Sequence, residues 1–246
     1  MKILVCGALG RMGREICRLA EDKSRHVDMV AAADAVADGN DGVFRSLSDI
    51  PTDISPDVMI DVSHRRATRE VLSFAVGRSM PLVLATTGQT PAEEAAVRRA
   101  SAYIPVLHSG NMSVGIACLL SVAADVLAAM PEADAEIIEI HHAEKDDAPS
   151  GTCDMILESL RRVRPHLRPV YGRVGFGKRD KNEVGIHSLR QGSTVGIHEI
   201  RFSDASETVI LRHEAQNISL FAEGMLRAAR FLCGREAGFY SMQDIT

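Results

Sequence analysis

The first third of the chain alternates short, β-branched apolar runs with stretches in which apolar residues return every three or four positions. The short runs predict strands at Lys2–Cys6, Val27–Ala33, Val58–Val62, Leu82–Ala85 and Ile104–Leu107. Between them Met12, Ile16, Leu19 and Ala20 keep helical spacing, a second helix fills Ala67–Val76, and a third opens at Thr90-Pro91-Ala92-Glu93. Thr90 can cap that helix, Pro91 suits its first position and Glu93 completes a capping box. Apolar runs alternating with helices are the pattern of a parallel sheet covered by helices.

The rhythm changes after Asn111. A long apolar helix is expected over Val114–Met130, then a strand over Ala135–Ile140 and a loop rich in charge, Pro and Gly. Gly185–Leu189, Thr194–Phe202 and Glu207–His213 read as strands separated by turn residues, as in an open mixed or antiparallel sheet. Over Ser219–Leu232, Leu220, Phe221, Met225, Leu226, Ala229 and Leu232 recur at helical intervals before a short tail, giving a helix able to pack back on the first domain.

Composition narrows the function classes. The 246 residues, 46% apolar and 25% charged, leave room for one large or two modest domains. A net charge of -5 withholds the general attraction that phosphate polymers need, so nucleic acid is not expected as a partner. No apolar run reaches the length of a membrane span, and Met1-Lys2 leads into the first strand without the regions of a signal peptide; no membrane partner and a cytoplasmic location are expected. Cys6, Cys17, Cys118, Cys153 and Cys233 are scattered and never form a Cys-x-x-Cys pair. They read as small packing residues rather than a disulfide framework or a zinc site.

Gly7-Ala8-Leu9-Gly10-Arg11-Met12-Gly13 joins the first strand to the first helix. A helix start offers unpaired N–H groups and a positive dipole end, so a pyrophosphate can rest there if no side chain obstructs it. The spacing departs from the usual dinucleotide fingerprint, with Leu9 where a middle glycine is customary. Asp34, about 20 residues beyond the last glycine, stands where a carboxylate commonly holds the adenosine ribose. It would repel a 2′-phosphate, and Ala35-Val36-Ala37 supplies no Arg to neutralise one, which predicts NADH over NADPH, with Arg11 able to soften the preference. A tight turn and an Asp ending a strand are the plain structural reading of the same residues.

Titratable groups concentrate in Glu139-Ile140-His141-His142-Ala143-Glu144-Lys145-Asp146-Asp147-Ala148-Pro149-Ser150-Gly151-Thr152. No His-Glu-x-x-His spacing or third ligand supports a metal there. Lys145 supplies a cation, and Ser150-Gly151-Thr152 precedes the helical period of Met155, Ile156 and Leu160, a second helix start suited to a carboxylate. A nicotinamide enzyme that reduces a conjugated C=N needs a proton as charge develops toward the ring nitrogen, and a histidine can supply it near neutral pH.

His-His-x-x-Lys-x-Asp-Ala-Pro-Ser-Gly-Thr, following Gly-Ala-x-Gly-Arg-Met-Gly, resembles the 4-hydroxy-tetrahydrodipicolinate reductase (dihydrodipicolinate reductase) family of the diaminopimelate route to lysine. The likeness continues through Ile60-Asp61-Val62-Ser63, Thr86-Thr87-Gly88, Asn111-Met112-Ser113-Val114-Gly115, Gly185 to Arg190 and Gly238-Phe239-Tyr240-Ser241-Met242. It implies His141 as proton donor or acceptor, Lys145 as a second donor and electrostatic partner, and His142 with Ser150, Gly151 and Thr152 on the carboxylates of a small cyclic substrate. It further implies dinucleotide contacts from Gly7, Ala8, Leu9, Gly10, Arg11, Met12, Asp34, Ala85, Thr86, Thr87, Ser109, Gly110, Asn111 and Met112. The implied fold is α/β, with a Rossmann-type dinucleotide-binding domain over 1–112 plus 219–246. A smaller α+β domain over 113–218 would bind substrate, join four copies into a homotetramer, and close on the first domain to exclude water.

Departures from the family pattern fall at Gly110, at Ile197, where Glu is usual before His198, and at Asn217-Ile218, where Ser-Arg is usual. Cys153 reads as packing, His187, His198 and His213 as structural histidines, and Lys178-Arg179-Asp180-Lys181 as a turn with no assigned role. Two other functions fit parts of the pattern: another Rossmann imine reductase, such as an amino-acid dehydrogenase, and a non-catalytic NADH-sensing protein.

Overall fold

A computed structural model describes residues 1–39 and 42–246. The chain separates into two compact units, one of residues 1–113 with 219–246 and one of residues 114–218.

The first unit is built on six parallel strands, β1 (Lys2–Cys6), β2 (Asp28–Ala33), β3 (Val58–Asp61), β4 (Leu82–Leu84), β5 (Pro105–His108) and β11 (Gly238–Tyr240), in the order β11-β5-β4-β3-β1-β2. Leu4, Met59, Leu82, Leu84 and Val106 turn one way to meet α2 (Thr68–Gly77) and α3 (Pro91–Ala100). On the other face α1 (Arg11–Glu21) packs with α6 (Ser219–Leu232), which crosses β3, β4 and β5. Burial on both faces is why these strands are apolar runs rather than alternating ones. Thr90 and Glu93 form the predicted capping box at the start of α3.

The chain leaves β1 toward β2 on one side and resumes with β3 on the other. That reversal opens a crevice at the carboxyl ends of β1 and β3, the place where doubly wound sheets bind ligands.

In the second unit a mixed sheet runs β10-β9-β6-β8-β7, from β6 (Asp134–His141), β7 (Arg168–Tyr171), β8 (Glu183–Arg190), β9 (Gly196–Ser203) and β10 (Thr208–Ala215). β6, β7 and β8 are parallel, while β9 and β10 are antiparallel additions. One sheet face, with Ala135, Ile137, Val184, Ile186, Ile200 and Phe202, packs on α4 (Val114–Ala129) and α5 (Gly151–Val163). β7 and β11 were not among the predicted strands. Both are short edge strands, and Arg-Pro-Val-Tyr and Gly-Phe-Tyr carry too little periodicity to announce themselves.

Candidate active site

Gly7 leaves β1 with φ +86, a conformation open mainly to glycine, and a Cβ there would lie 2.7 Å from Ser63 Cα. Gly13 lets the first turn of α1 lie on the loop, since a Cβ would come 2.1 Å from the Gly7 carbonyl oxygen. The loop consumes its own early amides. Gly7 and Ala8 donate to the Ala33 carbonyl, Leu9 to Asp34 Oδ2 and Gly10 to the Gly7 carbonyl. The donors left for an anion are therefore the first-turn amides of α1, from Arg11 onward, because Gly10 at the N-cap has no side chain to satisfy them.

Beside this turn lies a cavity of about 460 Å³ whose lining includes Gly7, Gly10, Asp34, Ser63, Arg45 and Arg66. Asp34 is held by the Leu9 amide at 3.0 Å and the Val36 amide at 3.2 Å. Arg45 and Arg66 pair with no carboxylate among the described residues, so the fold brings to Asp34's cavity two guanidiniums that the local sequence after Asp34 did not offer. A second cavity of about 320 Å³ is lined by Met12, Ser63, Ala85, Thr86, Thr87 and Met225. The two cavities share Val62, Ser63 and His64. The cradle and Asp34 fit a dinucleotide.

Of the other anticipated contacts, Ala8 and Leu9 line a different cavity on the far side of the loop. Ser109 to Met112 line neither of the first two. The Ser109 hydroxyl donates to the Asn111 carbonyl at 2.7 Å, and the Met112 carbonyl lies where a Cβ on Gly224 would be.

In the second unit, Glu139 and His141 occupy alternate positions of β6 and point to the helix-covered face. Glu139 is fully buried. Burial pushes its carboxyl up, but the hydrogen bonds from Arg190 and His141 work against that, and it is held below its ordinary value. An ionised Glu139 can only accept, so the His141 nitrogen facing it, Nδ1, carries the proton, and Nε2 is the working nitrogen. The second oxygen of Glu139 takes a 2.8 Å bond from Arg190 on β8. His198 of β9 stands edge-on to the His141 ring, with centroids 5.2 Å apart, and its Nε2 lies 3.1 Å from Ser150 Oγ.

Burial lowers the His141 pKa, and the neighbouring Glu139 only partly restores it. The side chain keeps 11% of its surface exposed. His141 thus lies against polar groups at the end of the sheet.

The loop after β6 bends so that the Lys145 ammonium meets Asp147 at 2.5 Å, while the Asp147 carbonyl accepts from Arg190 at 2.5 Å. Half-buried His142 follows the strand. At α5 the Ser150 side chain turns to His198 and does not cap the helix that begins at Gly151. His141, Lys145, Ser150 and the α5 start are thereby assembled on one edge of this unit.

Comparison with known proteins decides the family. Residues 1–112 match the model of the dihydrodipicolinate reductase N-terminus, and residues 115–246 that of its C-terminus. The chain belongs to the dihydrodipicolinate reductase family. A protein named 4-hydroxy-tetrahydrodipicolinate reductase from Alkaliphilus oremlandii is 38% identical over 100% of this chain and 98% of its own length. One of the same name from Caldanaerobacter subterraneus subsp. tengcongensis is 36% identical over 100% and 98%. A solved dipicolinate-bound dihydrodipicolinate reductase from Paenisporosarcina sp. TG-14 shares the fold, with a TM-score of 0.82 at 22% identity, over 100% of this chain and 99% of that one.

Seen as a dihydrodipicolinate reductase, the chain holds site features that pattern reading missed. Glu139 was noted only as part of a charged run, although two residues before a histidine on a strand is the spacing that puts an acid on the histidine's own face. His198, read as structural, has its hydrogen bond to Ser150 but also flanks His141. Cys153 is fully buried and its thiol is pushed up to about 12 by burial. Arg179, left without a role, ties Asp134 and Glu136 at 2.8 and 2.7 Å. Ile197 registers with Ile140 on the sheet face away from His141, so this departure from the family pattern alters the outer face and not the histidine pocket.

Proposed function

We infer that the His141 centre and the two cavities at the glycine loop form the substrate and cofactor halves of one imine reductase. The chain is a 4-hydroxy-tetrahydrodipicolinate reductase, an NAD(P)H-dependent oxidoreductase of lysine biosynthesis. The reading of its site rests on the fully buried Glu139, which fixes the His141 tautomer.

The reduced nicotinamide supplies the hydride. First-turn amides of α1 hold the pyrophosphate, and Asp34 accepts from the adenosine ribose hydroxyls. The substrate's two carboxylates engage His142, the α5 start at Gly151 and Thr152, and Lys145, which exchanges Asp147 for the substrate. A bound dianion favours the imidazolium, so Nε2 of His141 delivers its proton as charge moves toward the ring nitrogen, with Glu139 stabilising the cation from Nδ1. Lys145 stabilises the developing negative charge.

Asp34 favours NADH, while Arg45 and Arg66 on the same cavity provide a place for the 2′-phosphate of NADPH. Residues 1–112 with 219–246 form the dinucleotide domain in this reading, and 113–218 the substrate and assembly domain, working in the cytoplasm. A homotetramer is supported by the outer face of the second sheet, where Ile138, Ile140, Leu189, Ile197 and Ile210 lie among charged neighbours.

The deciding experiment follows the loss of nicotinamide absorbance with freshly formed dihydrodipicolinate precursor, with and without pyridine-2,6-dicarboxylate. Turnover blocked competitively by the planar diacid is expected. No turnover, or turnover with an amino-acid imine instead, would refute the reading.

A further inference from the structure

Asp61, the last residue of β3, is fully buried between Cys6 of β1 and Leu84 of β4. Three donors converge on its two oxygens. Ser63 gives its hydroxyl at 2.6 Å and its amide at 3.3 Å to Oδ1, and Thr86 gives its hydroxyl at 2.6 Å to Oδ2. Burial pushes the Asp61 carboxyl up and the hydrogen bonds only partly pull it back. Three donors on two oxygens suit an ionised carboxylate.

A hydroxyl has one proton. Once Ser63 and Thr86 have committed theirs to Asp61, each presents only lone pairs elsewhere, and both residues line the 320 Å³ cavity with Met12, Ala85 and Thr87. Ser63 is also the residue against which Gly7 packs, so one carboxylate ties together the glycine turn and the ends of β3 and β4. We propose that Asp61 is a positioning residue for the nicotinamide half of the cofactor, holding the Ser63 and Thr86 hydroxyls as acceptors toward the carboxamide and its ribose. This rests on the reading that the smaller cavity receives that half.

The test compares binding of NADH with binding of ADP-ribose, which lacks the nicotinamide ring, to the full-length protein by calorimetry. Asp61→Asn keeps the size of the side chain but replaces one acceptor with a donor, forcing at least one hydroxyl to turn. NADH affinity is expected to fall about tenfold, the size of one lost hydrogen bond, with ADP-ribose changed less than about twofold. Thr86→Val and Ser63→Ala are expected to give the same split, and Thr86→Ser to restore it; these variants carry the test if Asp61→Asn does not fold. An equal loss for both ligands would overturn the proposal, because a merely structural role weakens the whole site. Wild-type protein that binds the two ligands equally would overturn the cavity reading itself.

Discussion

Glu139 and His141 are two residues apart on one strand, and the buried carboxylate of the first holds Nδ1 of the second. Gln at position 139 keeps the shape but removes the charge that stabilises the imidazolium, and its amide can oppose the Nδ1 proton. Glu139→Gln is expected to lower kcat by roughly 10²–10⁴-fold, the usual range for disabling an acid–base group, while the KM for NADH stays constant. Steady-state kinetics measure both; a kcat within threefold of wild type would dismiss Glu139 from the mechanism.

His141→Ala and Lys145→Ala should each depress kcat far more than they weaken NADH binding, on the order of 10²-fold or greater for the histidine. Near-normal kcat in His141→Ala would remove the proposed donor.

The pH profile carries a sign. His141 lies below its ordinary value of 6.5 in the free protein, so kcat/KM should fall as pH rises through that depressed pKa. The bound dianion raises the pKa, and the corresponding limb in kcat should lie at higher pH. Identical limbs in both parameters would show that the substrate's charge does not reach the ring.

Asp34, Arg45 and Arg66 put opposite charges on one cavity. Asp34→Ala should reduce kcat/KM with NADH, and Arg45→Ala with Arg66→Ala should reduce it about tenfold with NADPH while leaving NADH unchanged. A wild-type protein clearly better with NADPH, and unaffected by losing Asp34, would reverse the assignment of that carboxylate.

Acid should destabilise the second unit through its buried rings. Burial, first among the causes, lowers His141, His198 and His213, and brings His198 to about 3. The unfolded chain therefore binds more protons below 6.5, and stability declines as pH drops from there toward 3, by up to about 1.4 kcal/mol per pH unit for His198 alone. Urea midpoints at pH 7.5 and pH 5 read this, and His198→Asn should flatten the difference; an unchanged slope in that variant would show that the ring is not the source.

Much of this was legible in the chain because local signals and tertiary roles coincide. β1, the glycine turn and α1 follow from an apolar run, a glycine triplet and helical spacing, each set by backbone geometry within a few residues. What escaped was set at a distance. Arg45 and Arg66 reach Asp34's cavity only because the sheet order brings their loops together, and β11 is a strand only because the edge of β5 is there to receive it. Asp61 is a hub only because the strand order brings Ser63 and Thr86 to its carboxylate.

The first unit is discontinuous, with its sheet edge and a covering helix supplied by the last 28 residues, 219–246. On the ribosome, the inserted unit has all its strands in hand before the surrounding one has α6 or β11. The faces of β3, β4 and β5 that α6 covers therefore stay bare until residues 219–232 have emerged.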